Sequence, residues 1–282
     1  PLAKTGVRER LMLSEATTEP LRMITLPLPE SWLARPVRTL LIGAGGTGSH
    51  LFGALLALDH ALRALAHPGG LQVTVYDPDR VAAHNIGRQA FWPQDVGQNK
   101  AETLVQRANL ILGLDWQAIP RRFAGQAAEL ATFDLIVTTV DQAQVRARIG
   151  QAASPGADPG RPPILWLDTG NSATQAQVVL GHWRNPEVTT WIPNIFQLYP
   201  ELARLDDRAQ REPSCSAAEA LSRQWLPINR LVADVAQSLL WMLFRQGQVE
   251  THGAWIDVRT LSVQPLRSDP QVWAGFGWQG LG

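Results

Sequence analysis

The chain has 282 residues, in which 25 Lys plus Arg are balanced by 25 Asp plus Glu. Because there is no basic excess, the composition predicts neither a nucleic-acid partner nor binding to an anionic membrane. Hydrophobic residues make up 45% of the chain, enough for the core of one large α/β domain or two small ones. The first residues show no basic and apolar signal pattern, so we expect a cytoplasmic protein.

Two further structural classes are excluded by residue type. Cys215 is the one cysteine of the chain, so neither a disulfide framework nor a cysteine-based zinc site can form within it. We therefore predict no zinc. The most apolar predicted helix, 226–244, contains Asn229 and Asp234, so it is not a membrane span.

The order of predicted elements indicates the fold class. Residues 1–36 carry charges and prolines with little periodicity and are interpreted as an N-terminal arm, with one domain over 37–282. Strands are predicted at 37–42, 71–76, 116–120, 133–140, 164–167 and 175–180, and helices at 49–66, at 98–112 and from Asp141 to about 153. This alternation predicts an α/β fold, a doubly wound, Rossmann-like and mostly parallel sheet with ligands at the carboxyl ends of its strands.

The second half of the chain is less regular. Residues 182–214 form a long stretch with weak periodicity, which we interpret as a functional crossover loop. The helix at 226–244 follows, and two β-like runs at 254–258 and 261–266 predict a C-terminal β extension.

A glycine-rich turn lies between the first domain strand and its helix. Gly43, Gly45 and Gly48 stand in G-x-G-x-x-G spacing, with Gly46 between them. Such glycines allow a tight turn and a close approach to phosphate, and the helix start offers free N–H groups. The motif predicts a nucleotide site; the alternative is a tight strand–helix turn without a ligand.

Asp77 ends the strand at 71–76, where a nucleotide-binding sheet places an acid on ribose hydroxyls. The alternative for this residue is a solvated aspartate at a strand end. The run from Asp77 to Gln89 reads D-x-D-x-V-x-x-x-N-x-x-R-Q and contains Asp79, Asn85 and Arg88.

Four ordered motifs resemble those of the ThiF/MoeB/HesA superfamily, whose members adenylate ubiquitin-like carrier proteins. They are the glycine turn, the run that ends at Gln89, a D-x-G-x-x-K segment that ends at Lys100, and a strand that ends at Asp141. The resemblance covers residues 37–180 best. With Pro-Ser-Cys-Ser at 213–216, the whole chain is most similar to the ThiF-like proteins of bacterial PRTRC gene clusters.

The resemblance implies binding of ATP and Mg²⁺ and adenylation of the C-terminal carboxylate of a small ubiquitin-like protein. No Walker lysine is present in the glycine turn, so Arg88 and Lys100 are the expected cations on the phosphates, and Asp141 the expected Mg²⁺ ligand. Asn85 and Gln89 are candidates to hydrogen-bond phosphate oxygens. Taken singly, Arg88 and Lys100 also fit as surface charges and Asp141 as a helix N-cap.

Cys215 follows the long loop, where cysteines of similar enzymes take the activated carrier as a thioester. A helix start near this position would favour the thiolate, although a lone cysteine also fits as a small buried residue. The resemblance further implies a homodimer and a possible conjugating enzyme as partners. The family's N-terminal R-Y-x-R-Q motif, whose arginine reaches the partner's ATP, is missing from this sequence.

Three alternatives remain open at the level of the sequence. The substrate could be a sulfur carrier or a small peptide instead of a ubiquitin-like protein. An NAD-dependent oxidoreductase shares the glycine turn and Asp77 but has no need of Asn85, Arg88 and Lys100 together. The third alternative is an inactive binding scaffold, against which the intact Arg88, Lys100 and Asp141 argue.

Overall fold

A computed structural model describes residues 23–156, 160–204 and 224–280. Its strands, in chain order, are β1 (Leu26–Pro27), β2 (Val37–Ile42), β3 (Leu71–Tyr76), β4 (Gln117–Ile119), β5 (Leu135–Thr138), β6 (Ser154–Pro155), β7 (Ile164–Asn171), β8 (Gln175–Asn185), β9 (Gln248–Val249), β10 (Thr251–Asp257) and β11 (Ser262–Arg267). Its helices are α1 (Glu30–Ala34), α2 (Gly46–Ala64), α3 (Lys100–Leu112), α4 (Ala127–Leu130), α5 (Ala143–Gln151), α6 (Ile195–Leu198), α7 (Ile228–Gln246) and α8 (Pro270–Ala274). Short 3₁₀ turns lie at Ala83–Asn85, Pro93–Asp95, Val188–Thr190 and Pro200–Arg204.

A nine-stranded mixed sheet forms the centre of the described structure. Its order is β11-β10-β8-β7-β5-β2-β3-β4, and β6 pairs with β8 outside this path. Strands β2, β3, β4, β5 and β7 are parallel, whereas β8, β10 and β11 each run antiparallel to the preceding strand of the sheet. The predicted Rossmann-like, mostly parallel α/β sheet with a C-terminal β extension is confirmed.

Two long helices cover one region of the sheet. Helix α2 buries Leu51, Leu55, Leu58 and Leu62, a stripe at helical spacing, and it packs against α7. Helix α7 also contacts β7, β8 and β10 and ends at Gly247, whose φ of +73° favours glycine. Within the part of the chain that the structure describes, no helix combines the length and apolarity that a bilayer crossing needs.

The second part of the N-terminal segment is packed onto the domain. Leu26 of β1 pairs with Val249 of β9, and the Leu26 side chain is buried. Trp32 of α1 is buried as well, with its ring 5.5 Å from that of Phe244. The division into an arm and a domain stays a prediction, since residues 1–22 lie outside the described part.

Strands β7 and β8 are longer than predicted. Strand β8 continues past Leu180 to Asn185, and the prediction ended early because buried polar side chains in this part hide the apolar pattern of a buried strand. His182 is one of them: its Nδ1 accepts a hydrogen bond from the Ile192 amide at 2.9 Å, and burial lowers its pKa to about 3. The predicted loop of 182–214 therefore begins as strand. Its described remainder folds into α6 and short turns, and 205–214 lies outside the described residues.

Candidate active site

A cleft of about 1060 Å³ runs along the carboxyl edge of the sheet. One part, which we name the glycine end, is lined by residues that follow β2, β3 and β5, among them Gly43, Asp77 and Asp141. The other part, which we name the aromatic end, is lined by the start of β8, the end of β10 and the segments 195–202 and 269–276. The cleft is where a doubly wound sheet binds its ligands.

The glycine turn forms the floor of the glycine end. Gly43 has a φ of +99° and its carbonyl oxygen accepts a hydrogen bond from Thr139 Oγ1 at 2.8 Å. Apart from Gly45 and its two chain neighbours, no atom of the described residues lies within 4 Å of a Cβ built on Gly45, which also lines the cleft and precedes α2. A ligand can therefore approach the backbone at Gly45, next to the free N–H groups of the first turn of the helix.

Two predicted ligand-binding residues do not line the cleft. A Cβ on Gly48 would stand 2.1 Å from the Gly43 carbonyl oxygen, so this glycine allows close packing of helix on turn. Asn85 is buried, and its Oδ1 accepts a hydrogen bond from the Ala82 amide at 2.9 Å. Gly48 and Asn85 therefore shape the turn and the loop around the cleft.

Asp77 and Asp79 have different surroundings. The Asp77 carboxylate is buried and accepts hydrogen bonds from the amides of Ala44 at 2.6 Å and of Asp79 at 2.8 Å, while burial raises its pKa. Asp79 has a side chain that is 65% exposed and lies 3.3 Å from Lys100 Nζ. Since both oxygens of Asp77 already have protein partners, Asp79 presents the carboxylate that is freer to receive ribose hydroxyls.

Arg88, Gln89 and Lys100 also line the glycine end. The Arg88 Nη1 donates to Gln224 Oε1 at 2.8 Å, and its Nε has no partner among the described residues. Burial lowers the pKa of Arg88, yet a guanidinium stays charged at neutral pH. Gln89 is buried, and its Oε1 has no hydrogen-bond partner in the described part of the chain.

Asp141 is exposed at the rim of the glycine end. The described residues hold no group of three or more His, Cys, Asp or Glu side chains placed to bind a metal. Mg²⁺ bound with a nucleotide does not need such a group, because one or two carboxylates and the substrate phosphates suffice as ligands. A single exposed carboxylate beside a phosphate-binding turn therefore fits this ion.

The sequence profile of the ThiF family matches residues 32–253, which include the glycine turn and every predicted cleft residue that the structure describes. This chain belongs to the ThiF family.

Solved structures with a similar fold include PaaA and the enzyme MccB of E. coli. PaaA has a TM-score of 0.55 at 14% identity over 83% of this chain and 64% of its own. MccB with ATP has a TM-score of 0.53 at 14% identity over 85% of this chain and 65% of its own. The microcin C7 biosynthetic enzyme MccB in complex with N-formylated MccA has a TM-score of 0.50 at 15% identity, over 83% and 65%. This ThiF-family chain thus spans less than two thirds of these proteins, and no curated protein matches it in sequence.

Sequence reasoning missed the polar cluster that joins α7 to the glycine turn. Asn229 Oδ1 accepts hydrogen bonds from Thr47 Oγ1 at 3.3 Å and Asn171 Nδ2 at 2.9 Å, and its Nδ2 donates to Gln224 at 3.1 Å. A Cβ on Gly46 would lie 2.6 Å from the Asn229 oxygen. The one signal in the sequence was an asparagine in the first turn of an amphipathic helix.

Two arginines in the cleft were also missed. Arg122 is exposed, and its Nη1 donates to Gln142 Oε1 at 2.6 Å, beside Asp141. Arg146 is buried and pairs with Asp168 at 2.7 Å, while its Nη2 donates to the Thr169 carbonyl at 2.7 Å. Arg122 adds an exposed cation to the rim, whereas Arg146 is buried and held by Asp168.

Cys215 lies outside the described residues, as does most of the segment around it. Its predicted thioester role therefore stays a prediction. So does the particular resemblance to PRTRC proteins within the family.

Proposed function

We propose that this chain adenylates the C-terminal carboxylate of a small ubiquitin-like protein, using ATP and Mg²⁺. The observation that carries the proposal is that Arg88, Lys100 and Asp141 line the same cleft as the exposed backbone at Gly45. Two cations and a carboxylate beside a phosphate-binding turn suit a triphosphate with its metal ion. The ATP bound to MccB gives this assignment further support.

The proposed step joins two anions. One carboxylate oxygen of the substrate forms a bond to the α-phosphorus of ATP, and the bond from that phosphorus to the oxygen shared with the β-phosphorus breaks. Pyrophosphate leaves, and the substrate carbonyl remains in a mixed anhydride with AMP. Arg88 and Lys100 reduce the repulsion and stabilise the charge that develops, which is the main way enzymes accelerate phosphoryl transfer.

Asp141 would hold Mg²⁺, which supplies positive charge to the phosphates when it is bound. Asp79 would accept hydrogen bonds from the ribose hydroxyls. Gln89, which lines the same end of the cleft, would donate a hydrogen bond from its amide nitrogen to a phosphate oxygen.

We also propose a homodimer and an onward transfer to Cys215 or to a conjugating enzyme. The thiolate of Cys215 would attack the anhydride carbonyl, form a thioester and release AMP. The cations of the described residues that line the cleft are Arg88, Lys100, Arg122 and Arg146, and the last of these is held by Asp168. A second subunit would add charge for the leaving pyrophosphate, and light scattering at assay concentration tests for it.

A sulfur carrier or a small peptide remains a second candidate substrate, because MccB is found in complex with N-formylated MccA. Each of these substrates would bring its carboxylate to the same place in the cleft, near Gly45. The choice among them depends on what the rest of the cleft recognises.

The experiment that tests the proposal is ATP:pyrophosphate exchange. Small proteins from neighbouring genes serve as carriers, and we expect at least one of them to support exchange that requires Mg²⁺. A carrier that lacks its last two residues is the matched control and should support none. If no carrier supports exchange and NAD binds instead, the proposal is wrong and the oxidoreductase alternative is favoured.

A further inference from the structure

The cleft continues well beyond the glycine end, across the antiparallel part of the sheet. Gly170 of β7 pairs with Gln177 of β8, which pairs with Trp255 of β10. Residues directly opposite each other in antiparallel strands point to the same face. All three line the cleft, so they form a continuous track from the end of β7 to the aromatic end.

Three aromatic rings make the wall of the aromatic end. Trp255 and Phe276 stack with ring centroids 5.3 Å apart and an interplanar angle of 6°. Tyr199 meets the edge of Phe276 at 5.5 Å, and its hydroxyl accepts a hydrogen bond from Trp255 Nε1 at 3.3 Å. All three side chains are only partly buried, so ring surface is left for a ligand.

The charge at the aromatic end is of one sign. Among the described residues that line the cleft beyond β7, the charged ones are Glu201, which is exposed, and Asp269, which is buried. The Asp269 Oδ1 caps α8, and its Oδ2 has no hydrogen-bond partner in the described part of the chain. Glu201 lies two residues after Tyr199, on the 3₁₀ turn Pro200–Arg204, and both residues line the cleft.

Aromatic faces and carboxylates both attract cations. The face of an aromatic ring is negative and attracts cations, and the exposed carboxyl group of Glu201 lies at the same end of the cleft. A lysine or arginine side chain fits both, because its apolar stem packs on rings while its charged head reaches an acid. An acidic side chain would be repelled by every one of these groups.

The spacing of the strands indicates how many residues separate this basic side chain from the C-terminal carboxylate of the substrate. Strand β5 leads to Asp141, and β7 and β8 lie between β5 and β10 in the sheet. Strands β5 and β10 are therefore three strand spacings apart, or about 14 Å. An extended peptide covers about 3.4 Å per residue, so about four residues bridge the two ends. Near β7 the track passes Gly170, whose backbone is covered by the Gln177 amide, since a Cβ added at Gly170 would lie 2.4 Å from the Gln177 amide nitrogen. A track narrowed in this way favours small residues in the substrate.

We propose that the aromatic end is a subsite for a basic side chain about four residues before the C-terminal carboxylate of the substrate, with small residues between. The proposal rests on the adenylation function proposed above. It assigns Trp255, Tyr199, Phe276 and Glu201 as the residues that determine substrate specificity.

The test uses peptides of the form acetyl-Ala-Ala-Ala-X-Ala-Gly-Gly with a free carboxylate, where X is lysine, leucine or glutamate. Each is titrated by calorimetry into the full chain with Mg²⁺ and an ATP analogue that has a methylene group between the α- and β-phosphorus. We expect the lysine peptide to bind about fivefold or more tightly than the glutamate peptide, the scale of a cation–π contact with an exposed ion pair. A smaller ratio, or no binding of any peptide, overturns the subsite.

Variants locate the effect. Glu201→Gln, at an exposed position, and Trp255→Ala are each expected to lower the ratio about threefold, while Glu250→Gln, an exposed acid outside the cleft, keeps the wild-type ratio. A wild-type ratio in Glu201→Gln and Trp255→Ala overturns the assignment. The analogue is first titrated alone: its failure to bind contradicts the adenylation proposal, whereas binding without a lysine preference contradicts the subsite only.

Discussion

Lys100 is a buried side chain with an exposed partner. Its Nζ lies 3.3 Å from an Asp79 carboxylate that is 65% exposed, so the pair contributes about 1 kcal/mol or less to folding. The position of the Lys100 ammonium group is therefore better explained by binding of a ligand than by a contribution to the stability of the fold.

We expect Lys100→Ala to lower pyrophosphate exchange by about two to three orders of magnitude, the scale for one lost charge contact in the transition state. Lys100→Met, which keeps the apolar stem, should lose as much, and thermal unfolding should show both variants folded. Exchange within threefold of wild type in either variant would show that Lys100 does not contact the reacting phosphates.

Cys215 gives a second prediction at the scale of one residue. Adenylation precedes thioester formation, so Cys215→Ala should keep ATP:pyrophosphate exchange within about twofold while losing any reductant-sensitive band of enzyme plus carrier on a gel. Cys215→Ser is the control for size and polarity. A band that persists in Cys215→Ala would mean that the acyl group goes to another nucleophile.

At the scale of elements, the turn that leads into α2 offers backbone that a ligand can reach at Gly45. A Cβ on Gly45 meets no described protein atom, and the same is true of Gly53, which lies in the middle of the helix. We expect Gly45→Ala to weaken ATP binding about tenfold or more, because the methyl group blocks the approach of phosphate to the backbone.

Gly53→Ala is the matched control for this helix. It should keep ATP binding and stabilise the protein by about 0.5–1 kcal/mol, the cost of glycine in a helix interior. Calorimetry and urea unfolding measure the two effects. Equal ATP affinity in Gly45→Ala and Gly53→Ala would contradict phosphate binding at the turn.

The contact of β10 with β8 and α8 includes a buried histidine. His252 Nδ1 donates to the Leu180 carbonyl at 2.9 Å, its Nε2 accepts from Trp273 Nε1 at 2.8 Å, and burial lowers its pKa to about 4. The folded pKa is below the unfolded value near 6.5, so the neutral ring contributes full stability above about pH 6.5 and loses it as the pH falls toward 4.

Between these limits we expect the free energy of unfolding to fall by about 1.4 kcal/mol per pH unit for this histidine. His182, with its pKa near 3, adds a similar slope. Urea unfolding at pH 7, 6 and 5 measures the sum, and His252→Gln should reduce the slope, whereas His60→Gln, at an exposed position, should not. An unchanged slope in His252→Gln would contradict its burial as a neutral ring.

At the scale of the whole molecule, local patterns in the sequence predicted the parallel half of the fold and most of the glycine end. The glycine turn and Asp77 follow apolar strands directly, so short-range periodicity was enough to place them. The parts missed depend on distant residues: Asn229 reaches Thr47 across 182 positions of sequence. Strand β8 was cut short because buried polar side chains such as His182 interrupt the apolar pattern.

Gly45 and Gly48 show the limit of motif reasoning in another way. Both belong to the same spacing pattern, yet one faces open space in the cleft and the other packs against the Gly43 carbonyl. The difference arises from how α2 lies on the turn, which the motif itself does not specify. The sequence therefore predicted which segments meet at the cleft, but not which glycine of the motif faces it.

The central claim is that the glycine end of the cleft binds ATP with Mg²⁺, and calorimetric titration of the full chain tests it without knowledge of the carrier. We predict one ATP site per chain, and ATP binding that weakens when Mg²⁺ is removed. The affinity for NAD should be lower than that for ATP by about tenfold or more, because Arg88 and Lys100 are placed for a triphosphate. Tight binding of NAD together with no binding of ATP would contradict the account.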